Sequence, residues 1–308
     1  MTTVLELPLR GAGGEPVDLV RTINSHGFAE LAPMHLDESE SALDLTLRIP
    51  RSRPRRVRIS PARRRGLALV TVFGPALSAG AAERVLAAAA RVLRLDADLS
   101  GFYAAIAKDP DFHWVTMGAG RMLRSPTVFE DVVKTICTTN CSWGLTMKMV
   151  NSFVSELGDP PAGVDDPLAR AFPTPQAMAA QPLSFYREVV RAGYRAPYFM
   201  TLSRAVASGE LDLEAFALAS REELADGELE GALLALPGVG PYAAAHIMMT
   251  LGRDSRLILD SWSRPKYARL VGKRSVTDTA IVRRFRKYGE HAGLAFWLFV
   301  TKDWVAPS

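Results

Sequence analysis

Over the first third of the chain, short runs of apolar residues alternate with polar ones. TVLELPL, SALDLTLRI, RVRIS and LALVTVFG are alternating or β-branched and end in Gly, Pro or Ser, as half-buried strands bounded by turns do. A small antiparallel sheet is the simplest assembly they predict. From about Ala79 the period changes: AGAAERVLAAAARVLRL carries apolar residues at helical spacing, and SGFYAAIAKD, TVFEDVVKTICTTN and WGLTMKMVNSFVSELG follow as helices. GDPPAGVDDPLARAFPTP reads as a Pro- and Gly-rich connection. Beyond it SFYREVVRAG, APYFMTLSRAVASG, GELEGALLAL, PYAAAHIMMTLG, TDTAIVRRFRKYG and HAGLAFWLFVTKDW read as helices, with no repeat of fixed period. The expected class is α+β, mainly α: an N-terminal antiparallel sheet domain over 1–90 and a two-lobed helical body over 91–308.

Composition narrows this modestly. The chain has 308 residues, 48% hydrophobic and 23% charged, which excludes a largely disordered protein and supplies cores for two or three subdomains. No run of 18 apolar residues occurs, so no membrane partner is expected. MTTVLELPLRG lacks the basic and apolar regions of a secretory signal, so the expected compartment is the cytoplasm, at the nucleoid in a bacterium. Two cysteines, Cys137 and Cys141, are too few for a disulfide scaffold, a four-cysteine zinc site or an iron–sulfur cluster. The net charge is only +4, but eight arginines fall between Arg51 and Arg65. Arg264, Lys266, Lys273 and Arg274 lead to a second cluster, Arg283, Arg284, Arg286 and Lys287. Clustered cations suit a polyanion, although a solvated surface explains either cluster equally well.

Chemistry concentrates in GELEGALLALPGVGPYAAAHIMMTLG, where two amphipathic helices are expected to flank Pro237-Gly238-Val239-Gly240. Glycines there let backbone N–H groups approach an anion. Pro241 suits a first helical position, whose helix N-terminus carries positive partial charge. Such a hairpin fits a nucleic-acid phosphate, and a plain αα-hairpin is the alternative. Eighteen residues after Tyr242 comes Asp260, preceded by the apolar Leu257-Ile258-Leu259 and followed by a helix start. Alone, Asp260 would read as an N-cap.

Helix, LPGVG hairpin, helix and an Asp at this spacing resemble the helix-hairpin-helix (HhH-GPD) superfamily of DNA base-excision glycosylases. LRSPTVFEDVVKTICTTN, AGYRAPYF and FPTPQAMAA resemble segments of its 8-oxoguanine and alkylpurine glycosylases, and the resemblance runs from about Leu95 to Trp304. It implies an active-site cleft between a hairpin-bearing lobe (about 127–250) and a second lobe (about 91–126 plus 251–308). It assigns Asp260 to the scissile N-glycosidic bond, where a carboxylate stabilises the oxocarbenium-like sugar of a base flipped from the duplex. Gly238, Val239 and Gly240 become DNA contacts. Tyr194 becomes a wedge, Arg195 a reader of the opposite base, and Asn140 a filler of the vacated gap. A monovalent cation, Na+ or K+, is implied on the backbone carbonyls of Leu234, Leu236 and Val239, with no other cofactor.

The chain departs from that pattern in its base pocket. Bifunctional members carry a lysine where Tyr242 stands, and a phenol forms no imine, so a monofunctional enzyme is expected. His246, Trp262 and Phe296 replace the Cys, His and base-reading Gln of the guanine-oxidation enzymes, and Leu145 replaces an arginine. Aromatic walls, with Trp143 contributing, suit cationic N-alkylated purines such as 3-methyladenine. The expected partner is double-stranded DNA holding a damaged base, bound by a monomer. Two alternatives stay open: an 8-oxoguanine or deaminated-purine glycosylase, and a non-catalytic damage-binding protein.

Overall fold

A computed structural model describes residues 2–50 and 52–305. Five strands, β1 (Thr2–Pro8), β2 (His35–Asp37), β3 (Ala42–Leu47), β4 (Arg55–Pro61) and β5 (Leu67–Phe73), form an antiparallel sheet in the order β1-β5-β4-β3-β2. β2 and the five-residue helix α1 (Leu19–Ile23) lie in stretches too short to show a period. Helix α2 (Ala79–Val92), capped by the Ser78 hydroxyl on the Ala81 N–H, buries the stripe Ala81, Val85, Ala89 and Val92. Most of that stripe joins a core built on the sheet, which continues through Leu93 and Leu95.

The remaining helices are α3 (Ser100–Ile106), α4 (Val128–Thr138), α5 (Trp143–Leu157), α6 (Pro175–Ala179), α7 (Ala196–Ser208), α8 (Ala215–Leu218), α9 (Asp226–Leu234), α10 (Pro241–Leu251), α11 (Ser263–Leu270), α12 (Asp278–Phe285) and α13 (Ala292–Thr301). They enclose two further cores. One joins α4, α5, α7, α9 and α10; the other joins α3 and α11–α13. The architecture is the expected α+β class, mainly helical. SFYREVVRAG is a correction: Phe185–Val189 forms a wider π-type turn, ended by Arg191 at positive φ.

Helix α10 places the site. It presents Ala243, Ala244, Ile247 and Met248 to one lobe and Ala245 and Met249 to the other. Its buried residues run unbroken from Ala243 to Thr250, so it is no amphipathic helix. The sheet domain is tied to the body by the buried Arg121, which bonds the Glu15 carboxylate and the carbonyls of Arg94 and Ala97. Among the described residues no helix is long and apolar enough to cross a membrane.

Candidate active site

A cleft of about 350 Å³ opens where α10 meets the second lobe and the sheet domain. Tyr242, His246, Asp260, Trp262 and Trp143 all line it. Residues singled out on different elements therefore converge on one cavity. His26, Gly27, Phe28, Glu30, Thr138, Trp297 and Trp304 complete the lining.

Asp260 does two things at once. Its Oδ1 accepts the N–H groups of Trp262 (3.0 Å) and Ser263 (2.6 Å), and its own N–H donates to the Ser263 hydroxyl (2.9 Å). That hydroxyl in turn donates to the Ile258 carbonyl at 2.8 Å. The cap fixes the carboxylate at the start of α11, and no described protein donor reaches Oδ2. The N-cap and site readings of Asp260 are thus compatible: Oδ1 holds the helix start, Oδ2 has no donor among the described residues, and the residue lines the cleft.

Aromatic rings dominate the walls. Trp262, Trp297 and Trp304 form a cluster with ring centroids 5.3–5.8 Å apart. Trp143 donates from Nε1 to the Glu30 carboxylate at 2.8 Å, and its ring packs where a side chain on Gly27 would stand. His246 is 7% exposed and meets His26 edge-on at 5.3 Å. Burial lowers the pKa of His246 to about 3 and of His26 to about 4, so both rings are neutral at physiological pH. Burial raises the Tyr242 phenol, the Thr138 contact opposes the rise and the Asp260 charge adds to it. Among the described residues no lysine or arginine lines the cleft, whereas two carboxylates do.

Phe296 is a correction. It is fully buried, 0% exposed, against Phe285 (5.4 Å) and Tyr267 (6.1 Å), and its neighbour Trp297 lines the cleft instead. The α13 helix is buried all round, so its hydrophobicity marks no face, and the position chosen from the resemblance turns inward.

The hairpin also resolves residue by residue. Gly238 has φ +80°, and a Cβ there would sit 2.7 Å from the Tyr198 ring. Gly240 has an extended backbone with nothing within 4 Å of an added Cβ. The Val239 N–H is used by the Leu236 carbonyl (3.2 Å), and the Val239 side chain is buried in the lobe core, whereas the Gly238 and Gly240 N–H groups have no protein acceptor. Val239 is therefore a structural anchor, and the free donors belong to its two neighbours.

Asn140 stands at positive φ (46°) after α4, exposed, its amide donating to the Tyr194 hydroxyl at 3.4 Å. Tyr194 is 53% exposed, yet Arg195 is only 3% exposed. Arg195 donates from Nε to the Thr139 hydroxyl (3.1 Å), lies 4.4 Å from the Tyr194 ring centre, and leaves Nη2 unpartnered. In this arrangement Tyr194 and Asn140 project together, and Arg195 supports them from beneath.

Part of each cationic cluster is held by the protein's own acceptors. Arg58 bridges Asp37 and Asp44, and Arg55 and Arg56 bond carbonyls. Arg264, Lys266, Arg284 and Lys287 pair with Asp278, Asp303, Asp111 and Asp109. Arg63, Arg64 and Arg65 stay exposed on the β4–β5 turn, and Arg51 lies outside the described residues.

Neither a family model nor a curated protein sequence matches the chain. Solved structures do. A 3-methyladenine DNA glycosylase from Archaeoglobus fulgidus aligns with TM-score 0.72 and 18% identity, covering 98% of this chain and 100% of that one. The fold is that of the DNA glycosylases. MBOgg1 in complex with a low-affinity DNA ligand aligns with TM-score 0.70 and 19% identity over 97% of this chain and 94% of that one. An 8-oxoguanine glycosylase/lyase from Clostridium acetobutylicum, bound to double-stranded DNA with cytosine opposite 8-oxoguanine, gives 0.68 and 20% over 93% and 92%. The glycosylase fold accounts for both the sheet domain and the paired helical lobes.

Proposed function

We propose that the protein is a monofunctional DNA glycosylase that hydrolyses the N-glycosidic bond of a flipped, N-alkylated purine and leaves an abasic site. One observation carries the reading: Asp260, pinned through Oδ1 and with no donor to Oδ2 among the described residues, borders a tryptophan-rich cleft that holds carboxylates and, among those residues, no cationic side chain. Alkylation at ring nitrogen makes a purine cationic. Aromatic faces attract cations, and carboxylates complement them, whereas a neutral oxidised base gains little from either. As the base departs with its bonding electrons, positive charge grows on the sugar, and Oδ2 stabilises that charge and orients the attacking water.

Binding follows from the hairpin and the Asn140–Tyr194 pair. The Gly238 and Gly240 N–H groups, at the N-terminus of α10, suit a phosphate oxygen. Exposed Tyr194, in contact with Asn140, supports a wedge beside the gap with Asn140 entering it. The carbonyls of Leu234 and Val239 accept no backbone hydrogen bond outside the helices, and that of Leu236 keeps a second lone pair beside Val239 N–H. These three fit a monovalent cation, which would supply positive charge beneath the phosphate-facing turn. Among the described residues no lysine borders the cleft, so no side-chain amine is offered there for the imine route to strand cleavage.

The test is a set of duplexes carrying single lesions, each incubated with the protein and split between alkali and neutral workup. Release of free 7-methylguanine above a protein-free control, with the strand intact at neutral pH, supports the proposal. Release confined to 8-oxoguanine or to a deaminated purine moves the substrate assignment. Strand nicking without alkali, trapped by borohydride, removes the monofunctional assignment.

A further inference from the structure

The polar floor of the cleft has its proton positions set from behind by two threonines of α4. The Thr135 hydroxyl donates to the Asp131 carbonyl at 2.7 Å, and the same oxygen lies 3.4 Å from Nδ1 of His246. A hydroxyl has one proton, and the shorter contact takes it. The oxygen can then only accept from His246, which places the imidazole proton on Nδ1. One turn along, the Thr138 hydroxyl donates to the Thr135 carbonyl at 2.7 Å and lies 3.2 Å from the Tyr242 hydroxyl. By the same reasoning Tyr242 gives its proton to Thr138.

Both cleft residues therefore turn lone pairs toward the cavity. No protein donor reaches Nε2 of His246 in a side chain that is more than nine-tenths buried, and that atom is not sealed from the cleft. Oδ2 of Asp260 is a third free acceptor. His26 does not compete: its Nε2 donates to the Leu123 carbonyl and its Nδ1 accepts the Phe28 N–H. The indole N–H groups without a described acceptor, on Trp262 and Trp304, belong to the wall from the other lobe.

We propose that Thr135 and Thr138 are positioning residues that lock His246 and Tyr242 as acceptors, so that the flipped base is read through its N–H groups and an amino-bearing purine is selected. This rests on the glycosylase reading above and names the edge chemistry of its substrate. A buried acceptor left without a donor costs roughly tenfold to a hundredfold in binding or rate. A purine lacking the amino group should suffer that loss.

Two measurements test this. Nitrogen-15 NMR of labelled protein reports the His246 tautomer without any substrate. The expected signature is protonated Nδ1 and bare Nε2, shifting toward protonated Nε2 in Thr135→Val and returning in Thr135→Ser, which restores the hydroxyl. The second compares release of 7-methylguanine with release of 7-methylhypoxanthine from otherwise identical duplexes, each divided by its spontaneous depurination rate. The wild type should favour the amino-bearing base by at least tenfold, Thr135→Val should bring the ratio toward one, and Thr135→Ser should recover it. A protonated Nε2 in the wild type overturns the proposal, as does equal release of the two bases by an active enzyme. Release of neither base, with the tautomer as expected, removes the alkylpurine reading and leaves the threonine lock standing.

Discussion

The two hairpin glycines are predicted to fail in different ways when each becomes alanine. At Gly238 the backbone φ is +80° and a Cβ would stand 2.7 Å from Tyr198 Cδ2 and 3.3 Å from Ile136 Cγ2. A left-handed conformation costs an L-residue about 1–2 kcal/mol, and forcing a methyl into a packed contact costs about 1–3 kcal/mol. Gly238→Ala should therefore lose about 2–5 kcal/mol, a fall in Tm of several degrees or more for a chain of this size. At Gly240 the backbone is extended and a Cβ meets nothing within 4 Å. Gly240→Ala should leave stability unchanged or raise it by about 0.4–1 kcal/mol through the unfolded chain. The added methyl would nevertheless stand in open space on the same residue as the free Gly240 N–H, so under the proposed phosphate contact DNA affinity should drop about tenfold or more. Thermal unfolding followed by circular dichroism and anisotropy of a labelled abasic-site duplex read the two effects separately. Equal destabilisation by both substitutions, or unaltered DNA affinity in Gly240→Ala, would refute the reasoning.

Other consequences are equally open to measurement. Arg121→Ala strands the buried Glu15 carboxylate and two carbonyls, so unfolding should be easier by about 3–5 kcal/mol. Burial raises the Asp131 pKa from the ordinary 3.8 of a carboxyl to about 7. The folded state thus holds a proton that the unfolded state gives up, and this group's contribution to stability is fullest below about pH 4 and declines as pH rises to about 7. Asp131→Asn should gain Tm relative to wild type at pH 8 and lose that advantage at pH 4. Trp262→Leu removes one face of the tryptophan cluster, and excision of 7-methylguanine should fall about tenfold, since stacking a base on an aromatic ring contributes about 1–3 kcal/mol.

Much of this organisation was legible in the chain because it rests on local periodicity. Alternation found β1, β3, β4 and β5, and helical spacing found α2, α4, α5 and α7, whereas α10 and α13 stood out only as continuous apolar runs. LPGVG and Asp260 were visible because a glycine turn and a lone acid at fixed spacing are themselves local signals. What escaped is what tertiary structure assembles. His26, Phe28 and Glu30 come from a short turn of the sheet domain with no period of its own, and reach the cleft only because that domain packs against α5 and α10. Trp304 follows α13 and joins Trp262 across some forty residues of chain. Phe296 and Trp297 were indistinguishable by pattern because every residue of α13 is buried. The arginine and lysine clusters looked like a polyanion surface, yet Arg58, Arg264, Lys266, Arg284 and Lys287 answer aspartates from other parts of the chain.

The central claim is that the free oxygen of Asp260 acts on a sugar. Single-turnover release of 7-methylguanine by Asp260→Asn tests it, because the amide oxygen can keep the bonds to the Trp262 and Ser263 N–H groups while the negative charge is removed. The account predicts unchanged Tm, retained duplex binding and a release rate lower by at least a hundredfold. Release at the wild-type rate by a folded Asp260→Asn protein would contradict it.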